Sequence, residues 1–307
     1  MNVRVARPFA VLVVALAAVL TTSVRALPQG QQKVALVTVV ADASGRSKDL
    51  TAKDFVVTED NAKREVVDAQ LADDPLSIAL LIDTTQPPMG AIPPTQDLRT
   101  AVTTFIRTVQ AAEPTAKFSI TETAGAAVTA VPFTTKSDDL QTAIGRLVPN
   151  QPRGAVLLEA LIDASKRLGE QPPPRRAIVS VDFNSLEASA ERSLKDAVEA
   201  VHKAGATLWP VSVRGSGTGG TDLTGMKSSF QPSPIREEAF NKITLANGGM
   251  RLQPVDAPGL EPNLKIVANS LTSQYTITFV RSGGGNPKTT KIETSKGAKV
   301  LLTPWMR

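Results

Sequence analysis

Residues 78–90 read IALLIDTTQPPMG: five apolar side chains, Ile78 to Ile82, that stop at Asp83, then two threonines, a glutamine and Pro87–Pro88. An almost wholly apolar run of this length fits a strand buried on both faces of a parallel sheet. The aspartate and prolines fit the loop at its carboxyl end, the end at which such sheets bind ligands. An aspartate with hydroxyl-bearing neighbours there suits a divalent ion, which prefers oxygen ligands. The residue four positions after Asp83, however, is Pro87, which brings no side-chain oxygen. The stretch is a metal loop, a metal loop that has lost a ligand, or an ordinary loop.

Working outward, strands and helices alternate from Leu76 onward. RRAIVSVD (175–182) is a second apolar strand and ends on Asp182 as the first ends on Asp83. If these strands are neighbours at a topological switch point, both carboxylates face one crevice. Asp97 to Ala112 places Leu98, Ala101, Val102, Phe105, Ile106 and Val109 at helical spacing, with Pro114 beyond its end. Lys117–Thr121 and Ala126–Phe133 read as short strands. Ser137 is expected to cap a helix through Leu147, with Asp138 and Asp139 at its positive end. Ala155–Leu168 reads as a helix closed by Gly169, Ala190–Ala204 as one closed by Gly205, and Ala206–Val213 as a strand. A loop rich in Gly, Ser and Pro fills 214–234. Helices at Ile235–Ala246 and Glu261–Leu271 follow, with a short strand, Met250–Leu252, between them. This alternation predicts an α/β fold, a doubly wound and mostly parallel Rossmann-like sheet.

Both flanks read as β structure. Val34–Val40 is β-branched, DFVVTEDNAKREVVDAQL makes two strands around a Glu59-Asp60-Asn61 turn, and the chain ends in QYTITFVR, TTKIET and AKVLLT. Each flank is small for a core of its own, so the two are expected to pair into a small β domain. The division read from the sequence is a signal peptide over 1–26, an N-terminal β segment over 33–74, an α/β domain over 75–255, and a C-terminal helix and β segment over 256–307.

The signal peptide rests on Arg4 and Arg7, the twelve-residue apolar run Phe9–Leu20, a polar Thr-Thr-Ser and the small residue Ala26, after which cleavage is expected. That run is short for a membrane span, and no second one follows. The expected location is periplasmic or secreted. Residues 1–26 hold three of the 34 basic residues and no acid, so cleavage leaves 31 bases against 29 acids and lowers the net charge from +5 to +2. With aromatics at 4%, this argues against a nucleic-acid partner. The absence of cysteine excludes disulfides, thiolate metal sites and cysteine nucleophiles.

Several segments in order resemble the von Willebrand factor A (vWA) domain, and in particular the bacterial secreted proteins called VWFA-related. DASGRSKDLTAKDFVVTEDNAK is similar to that group's N-terminal segment, PLSIALLIDTTQPP to its first strand and metal loop, and RRAIVSVD to the strand before its Ser-Asp-Gly loop. RGAVLLEALIDAS stands where Gly-Gly-Thr and a helix are usual. AGATLWPVSVRG, LANGGMRL and LTSQYTITF resemble the later strand, the Gly-Gly turn and the Gln-Tyr strand. The resemblance implies a metal-ion-dependent adhesion site, built from an Asp-x-Ser-x-Ser loop plus a Thr and an Asp from two other loops. Asp83 matches the first ligand and Thr85 the second. Pro87 and Ala155 occupy two further ligand positions without an oxygen. Asp182 matches the last ligand if the loop slides by one residue, whereas the ungapped register puts Phe183 there.

The expectation is therefore an exported, non-enzymatic protein-binding module of adhesion or scaffold type, with no cofactor. Its degenerate metal site is Asp83, Thr85 and Asp182, and its partner-binding rim is Asp83, Thr84, Thr85, Gln86, Asp182 and Asn184. The alternative is weak Mg²⁺- or Mn²⁺-dependent binding through Asp83, Thr85 and Asp182; a hydrolase is the remote one. GSGTGG (215–220) fits a dinucleotide fingerprint only formally, because prolines rather than a helix follow it. GTDLTGMKS sets its lysine one residue too far for a phosphate loop. His202, the only histidine, reads as helix-end chemistry, and Trp209 and Trp305 read as packing residues.

Overall fold

A computed structural model describes residues 30–85, 94–150, 154–183, 185–190, 193–214, 233–281 and 285–306. The signal peptide expected over 1–26 and the glycine-rich motifs of 215–228 lie outside them. The chain opens with β1 (Gln31–Val39), β2 (Phe55–Glu59) and β3 (Ala62–Leu71). The α/β layer follows: β4 (Ser77–Ile82), α1 (Thr95–Ala112), β5 (Lys117–Glu122), β6 (Val128–Thr134), α2 (Ser137–Arg146), α3 (Leu157–Gly169), β7 (Arg176–Asp182), α4 (Ser193–Ala204), β8 (Thr207–Ser212), α5 (Pro234–Asn247) and α6 (Leu260–Leu271). It ends with β9 (Gln274–Arg281), β10 (Thr290–Thr294) and β11 (Val300–Met306).

Two sheets result. The first has the order β6-β5-β4-β7-β8, with β4, β5, β7 and β8 parallel and β6 antiparallel at the edge. Every residue of β4 is buried, as its apolar run requires of a central strand. Alternation sends Ile78, Leu80 and Ile82 into a core shared with α1, α2 and α6, and Ala79 and Leu81 into a second core under α3, α4 and α5. The six apolar positions read in α1 are its buried face, and Phe105 meets Phe118 edge-on at 6.3 Å. The sheet is doubly wound, as expected from the alternation.

The flanking strands form the second sheet, fully antiparallel, in the order β10-β2-β3-β9-β1-β11. N- and C-terminal strands interleave in it, so neither flank has a core alone. The two edge strands touch, curling the sheet around Val37, Phe55, Val57, Tyr275, Ile277, Phe279 and Ile292. Asp60 and Asn61 take positive φ (47° and 66°) in the β2–β3 turn, as a two-residue hairpin loop of primed type demands. Near this turn Glu59, fully buried, accepts bonds from Arg281 Nε at 2.9 Å and Arg64 Nε at 3.1 Å.

Some expected boundaries shift for local reasons. Ser137 is the first helical residue rather than the cap, and its hydroxyl donates to Gln110 of α1 at 3.1 Å. Gly169 is the last helical residue of α3 rather than its cap, and the cap is Glu170 in a right-handed conformation that needs no glycine. The helix expected from Ala155 starts two residues later, because Ala155 and Val156 are drawn into backbone bonds with Leu186 and Thr123. The strand expected over Met250–Leu252 is a single bridge, Leu252 to Val211.

Candidate functional site

β4 and β7 are adjacent and in register, Ile82 opposite Val181, so Asp83 and Asp182 come side by side one step beyond the last paired residues. The Asp83 amide donates to Val181 O at 2.9 Å. Ile82 and Val181 belong to the core under α1 and α6, so pleating turns both aspartates to the opposite face, toward α5. Phe183 packs against the α1-side core instead, and Asp182 is the acid in the crevice.

Each carboxylate is spoken for. Asp83 accepts from the Thr85 amide at 2.9 Å, a turn-forming bond two residues on, and from the Ser185 hydroxyl. Asp182 accepts from the Ser212 hydroxyl at 2.7 Å and faces the Arg236 guanidinium, Nη1 to Oδ1, at 3.4 Å. Arg236 Nε donates to Glu187 Oε2 at 2.9 Å. The side chains of Arg236, Asp182 and Glu187 are essentially buried, at 2%, 2% and 0% exposed, and Asp83 is buried beside them. Arg236 Nη2 and the Thr85 hydroxyl are buried with no hydrogen-bond partner among the described residues. The Thr84 hydroxyl turns toward β5 and donates to Glu122 at 3.1 Å.

Burial opposes the charge on Arg236, but attraction from Asp182, then Glu187, then Asp83 outweighs it and raises the guanidinium pKa above its ordinary value. A cationic group whose folded pKa is raised stabilises the fold at all pH values below the unfolded pKa. Here that covers the whole working range, with loss only at extreme alkalinity.

Gln86, Pro87 and Asn184 lie outside the described residues. Ala155 presents a methyl, and its amide and carbonyl are taken by Leu186 and Ala188. The neighbouring Gly154 is required: at φ +80°, a Cβ there would stand 2.7 Å from Leu186 O. As the chain stands these residues do not fit a divalent ion: Ala155 supplies no side-chain oxygen, and the buried Arg236 guanidinium already faces Asp182 and Glu187. Among the described residues no group of three or more His, Asp, Glu or Cys is arranged to hold a metal.

Sequence reasoning missed Ser185, Glu187, Ser212 and Arg236. One signal was present. Arg236 stands third in a helix that opens with Pro234, in SPIREEAF, where the helix dipole favours carboxylates and disfavours a cation. An arginine there needs acids ahead of it. Among the decoys, His202 Nδ1 meets Asn247 Oδ1 at 3.3 Å, and Trp209, fully buried, donates to the Thr207 hydroxyl at 3.0 Å.

Exposed apolar side chains recur among polar ones along this edge. Among the described residues six large hydrophobic side chains are exposed, and four of them stand at the carboxyl edge of the parallel sheet. Val128 (56%) is opposite Glu122, the last residue of β5. Val148 (50%) is two residues before Asn150, whose amide bonds Thr84 O. Leu186 (75%) follows β7, and Val255 (73%) follows Pro254, whose carbonyl accepts from Arg214 beyond β8. No helix among the described residues is long and apolar enough to cross a membrane.

The sequence matches no family model and no curated protein. Solved structures do match. A von Willebrand factor type A structure from Catenulispora acidiphila aligns over 91% of this chain and 73% of its own, with a TM-score of 0.51 at 11% identity. The SpRpn10 VWA domain aligns over 62% and 93%, with a TM-score of 0.46 at 10% identity. The pilus adhesin SpaC from Lactobacillus rhamnosus GG, in its open conformation, aligns over 84% and 48%, with a TM-score of 0.48 at 10% identity. Identities this low speak to fold alone. With its doubly wound parallel sheet and the match to the Catenulispora structure, the chain has the fold of a von Willebrand factor A domain, joined to a second, antiparallel sheet.

Proposed function

We propose that this protein is an exported, non-enzymatic binding module that holds a protein partner on the carboxyl-edge rim of its parallel sheet, without a divalent metal. The observation that carries the reading is that four of the six exposed large hydrophobic side chains among the described residues, Val128, Val148, Leu186 and Val255, are spread along the carboxyl edge that also holds the buried Asp83, Asp182 and Arg236. Exposed apolar side chains gathered at the ligand-binding edge of an α/β sheet suit a protein surface better than a small polar substrate. Asp83, Thr84, Thr85 and Asp182 lie beneath this rim as its rigid floor, and Gln86 and Asn184 follow two of them in sequence. Export is supported by the charged, apolar and small-residue order of residues 1–26. Its check is whether the purified protein begins at Leu27.

The test is cross-linked capture from the envelope fraction of the source cell, in chelator, by the wild type and by Leu186→Glu and Val148→Glu. The reading expects a species captured by the wild type and lost in both variants. Capture that survives both substitutions overturns the rim. Capture abolished by chelator and by Asp83→Asn transfers the function to Mg²⁺- or Mn²⁺-dependent binding through Asp83, Thr85 and Asp182.

A further inference from the structure

The crevice beneath this rim is rich in oxygen. Asp83, Asp182 and Glu187 bring carboxylates, and Ser185, Ser212 and Thr85 bring hydroxyls. Carboxylates and hydroxyls at the ends of adjacent strands are oxygens of the kind a hard divalent ion selects, although among the described residues no three acidic side chains are arranged to hold one as the chain stands. The cation actually present is a side chain. From the first turn of α5, Arg236 reaches over the ends of β7 and β8. It lies 3.4 Å from Asp182 and 2.9 Å from Glu187, and it also feels the charge of Asp83.

We propose that Arg236 is the resident cation of this oxygen-lined site, a guanidinium standing where a divalent ion would otherwise bind, and that its removal opens a site for Mn²⁺ or Mg²⁺. The inference deepens the metal-free reading given above and rests on the same crevice, but it makes a claim that needs no partner.

Three features support it. First, the guanidinium is almost completely buried, so it is not a surface side chain that swings aside when an ion arrives. Second, a divalent ion sharing Asp182 with it would stand within a few ångströms of a fixed positive charge, and the repulsion is large at low dielectric. Third, its helix position opposes the dipole, so the carboxylates must hold it there. An arginine also differs from an ion in permanence. It does not dissociate, and no chelator or change in metal supply empties the site. A rim built on it is assembled as soon as the chain folds.

The experiment is calorimetric titration of the purified full chain with MnCl2, no partner present, alongside thermal denaturation with and without Mn²⁺. The wild type and Arg236→Lys, which keeps the charge, are expected to show no saturable heat and no shift in melting temperature. Arg236→Met is expected to melt earlier, to bind Mn²⁺ at least about tenfold more tightly than the wild type, and to regain melting temperature on binding. Adding Asp182→Asn should remove the gained binding. Saturable Mn²⁺ binding by the wild type that disappears in Asp83→Asn overturns the proposal. So does a folded Arg236→Met that binds no Mn²⁺, or one that stays unfolded in millimolar Mn²⁺, because the ion should then have replaced the lost charge. A failed capture experiment leaves these outcomes untouched, and the two readings fail separately.

Discussion

Arg175 and Arg236 are both almost fully buried, one at each end of the parallel sheet, and their surroundings differ. Arg175 precedes β7 at the amino edge. Its Nε bonds Gln274 at 2.9 Å. Nη1 reaches Ala72 O, Asp74 O and Glu113 at 2.8–3.0 Å, and Nη2 reaches Leu271 O at 3.2 Å and the other Glu113 oxygen. Every nitrogen is used, and the partners come from α1's end, α6, β9 and the connector out of β3. This is a joint that locks the antiparallel sheet to the α/β layer. Arg236, at the carboxyl edge, has one nitrogen without a partner among the described residues and carboxylates in excess of its own charge. A fully satisfied buried network rigidifies a fold, whereas a buried donor left without a partner carries a cost that the rest of the structure must offset.

The largest way to test that contrast is Arg175→Met. It strands Glu113 and four further acceptors, Gln274, Ala72 O, Asp74 O and Leu271 O, so the expected loss is about 3–5 kcal/mol, the range for breaking a buried pair. Urea denaturation monitored by circular dichroism reads it, and Mn²⁺ should restore nothing. Arg236→Met is expected to cost a comparable amount, about 3–5 kcal/mol, because it leaves the buried Asp182 and Glu187 without their counter-charge. Unlike the first loss, this one should be recovered with Mn²⁺. If the two variants respond alike to the metal, the two ends are not different in kind.

Much of this architecture was open to reading in the amino-acid pattern. β4, and β7 beyond its first residue, are buried and announce themselves as largely apolar runs, and the six-residue stripe of α1 by its spacing, because burial on two faces or on one stripe leaves a periodic trace. Asp83 and Asp182 were legible for the same reason: each is where an apolar run stops. The cation was not. Arg236 lies 54 residues beyond Asp182, and Glu187 sits in an irregular loop with no period. Their meeting is a tertiary event set by how α5 packs across β8. That Ala155 brings no side-chain oxygen was visible in sequence, but the cation facing Asp182 and Glu187 comes from a distant helix. Ser137 and Gly169 show the lesser failure, in which a good capping residue is diverted or made unnecessary by its neighbours.

A smaller effect sharpens the contrast within the crevice itself. The Thr85 hydroxyl is buried and unpartnered among the described residues, so Thr85→Val should leave stability within about 1 kcal/mol of the wild type or raise it. Ser212→Ala removes a hydroxyl that does bond Asp182, at 2.7 Å. It should cost about 1–2 kcal/mol, since a hydrogen bond to a charged group is lost. Paired urea melts decide it, and equal costs would mean that the two hydroxyls are equivalent.

The smallest effect separates the two sheets by pH. Tyr275 is the only tyrosine in the chain, packs its ring 5.5 Å from Phe55 in the antiparallel core, and accepts a bond from the Leu50 amide at 3.3 Å. Burial raises its phenol pKa above the ordinary 10.0, outweighing that amide, which favours the ionised form. Because the folded pKa lies above the unfolded one, the stabilisation is complete below about pH 10 and is lost as pH climbs through the raised value. Arg236 also has a raised pKa, but a guanidinium starts well above a phenol, so the carboxyl-edge cluster keeps its charge through that window. Absorbance near 295 nm reads a single phenol here and should titrate with a midpoint above 10.0. In Tyr275→Phe the alkaline loss of stability over the same interval should shrink. A midpoint at or below 10.0 would show the antiparallel core open to water, and the two sheets would then no longer differ in how they carry buried polar groups.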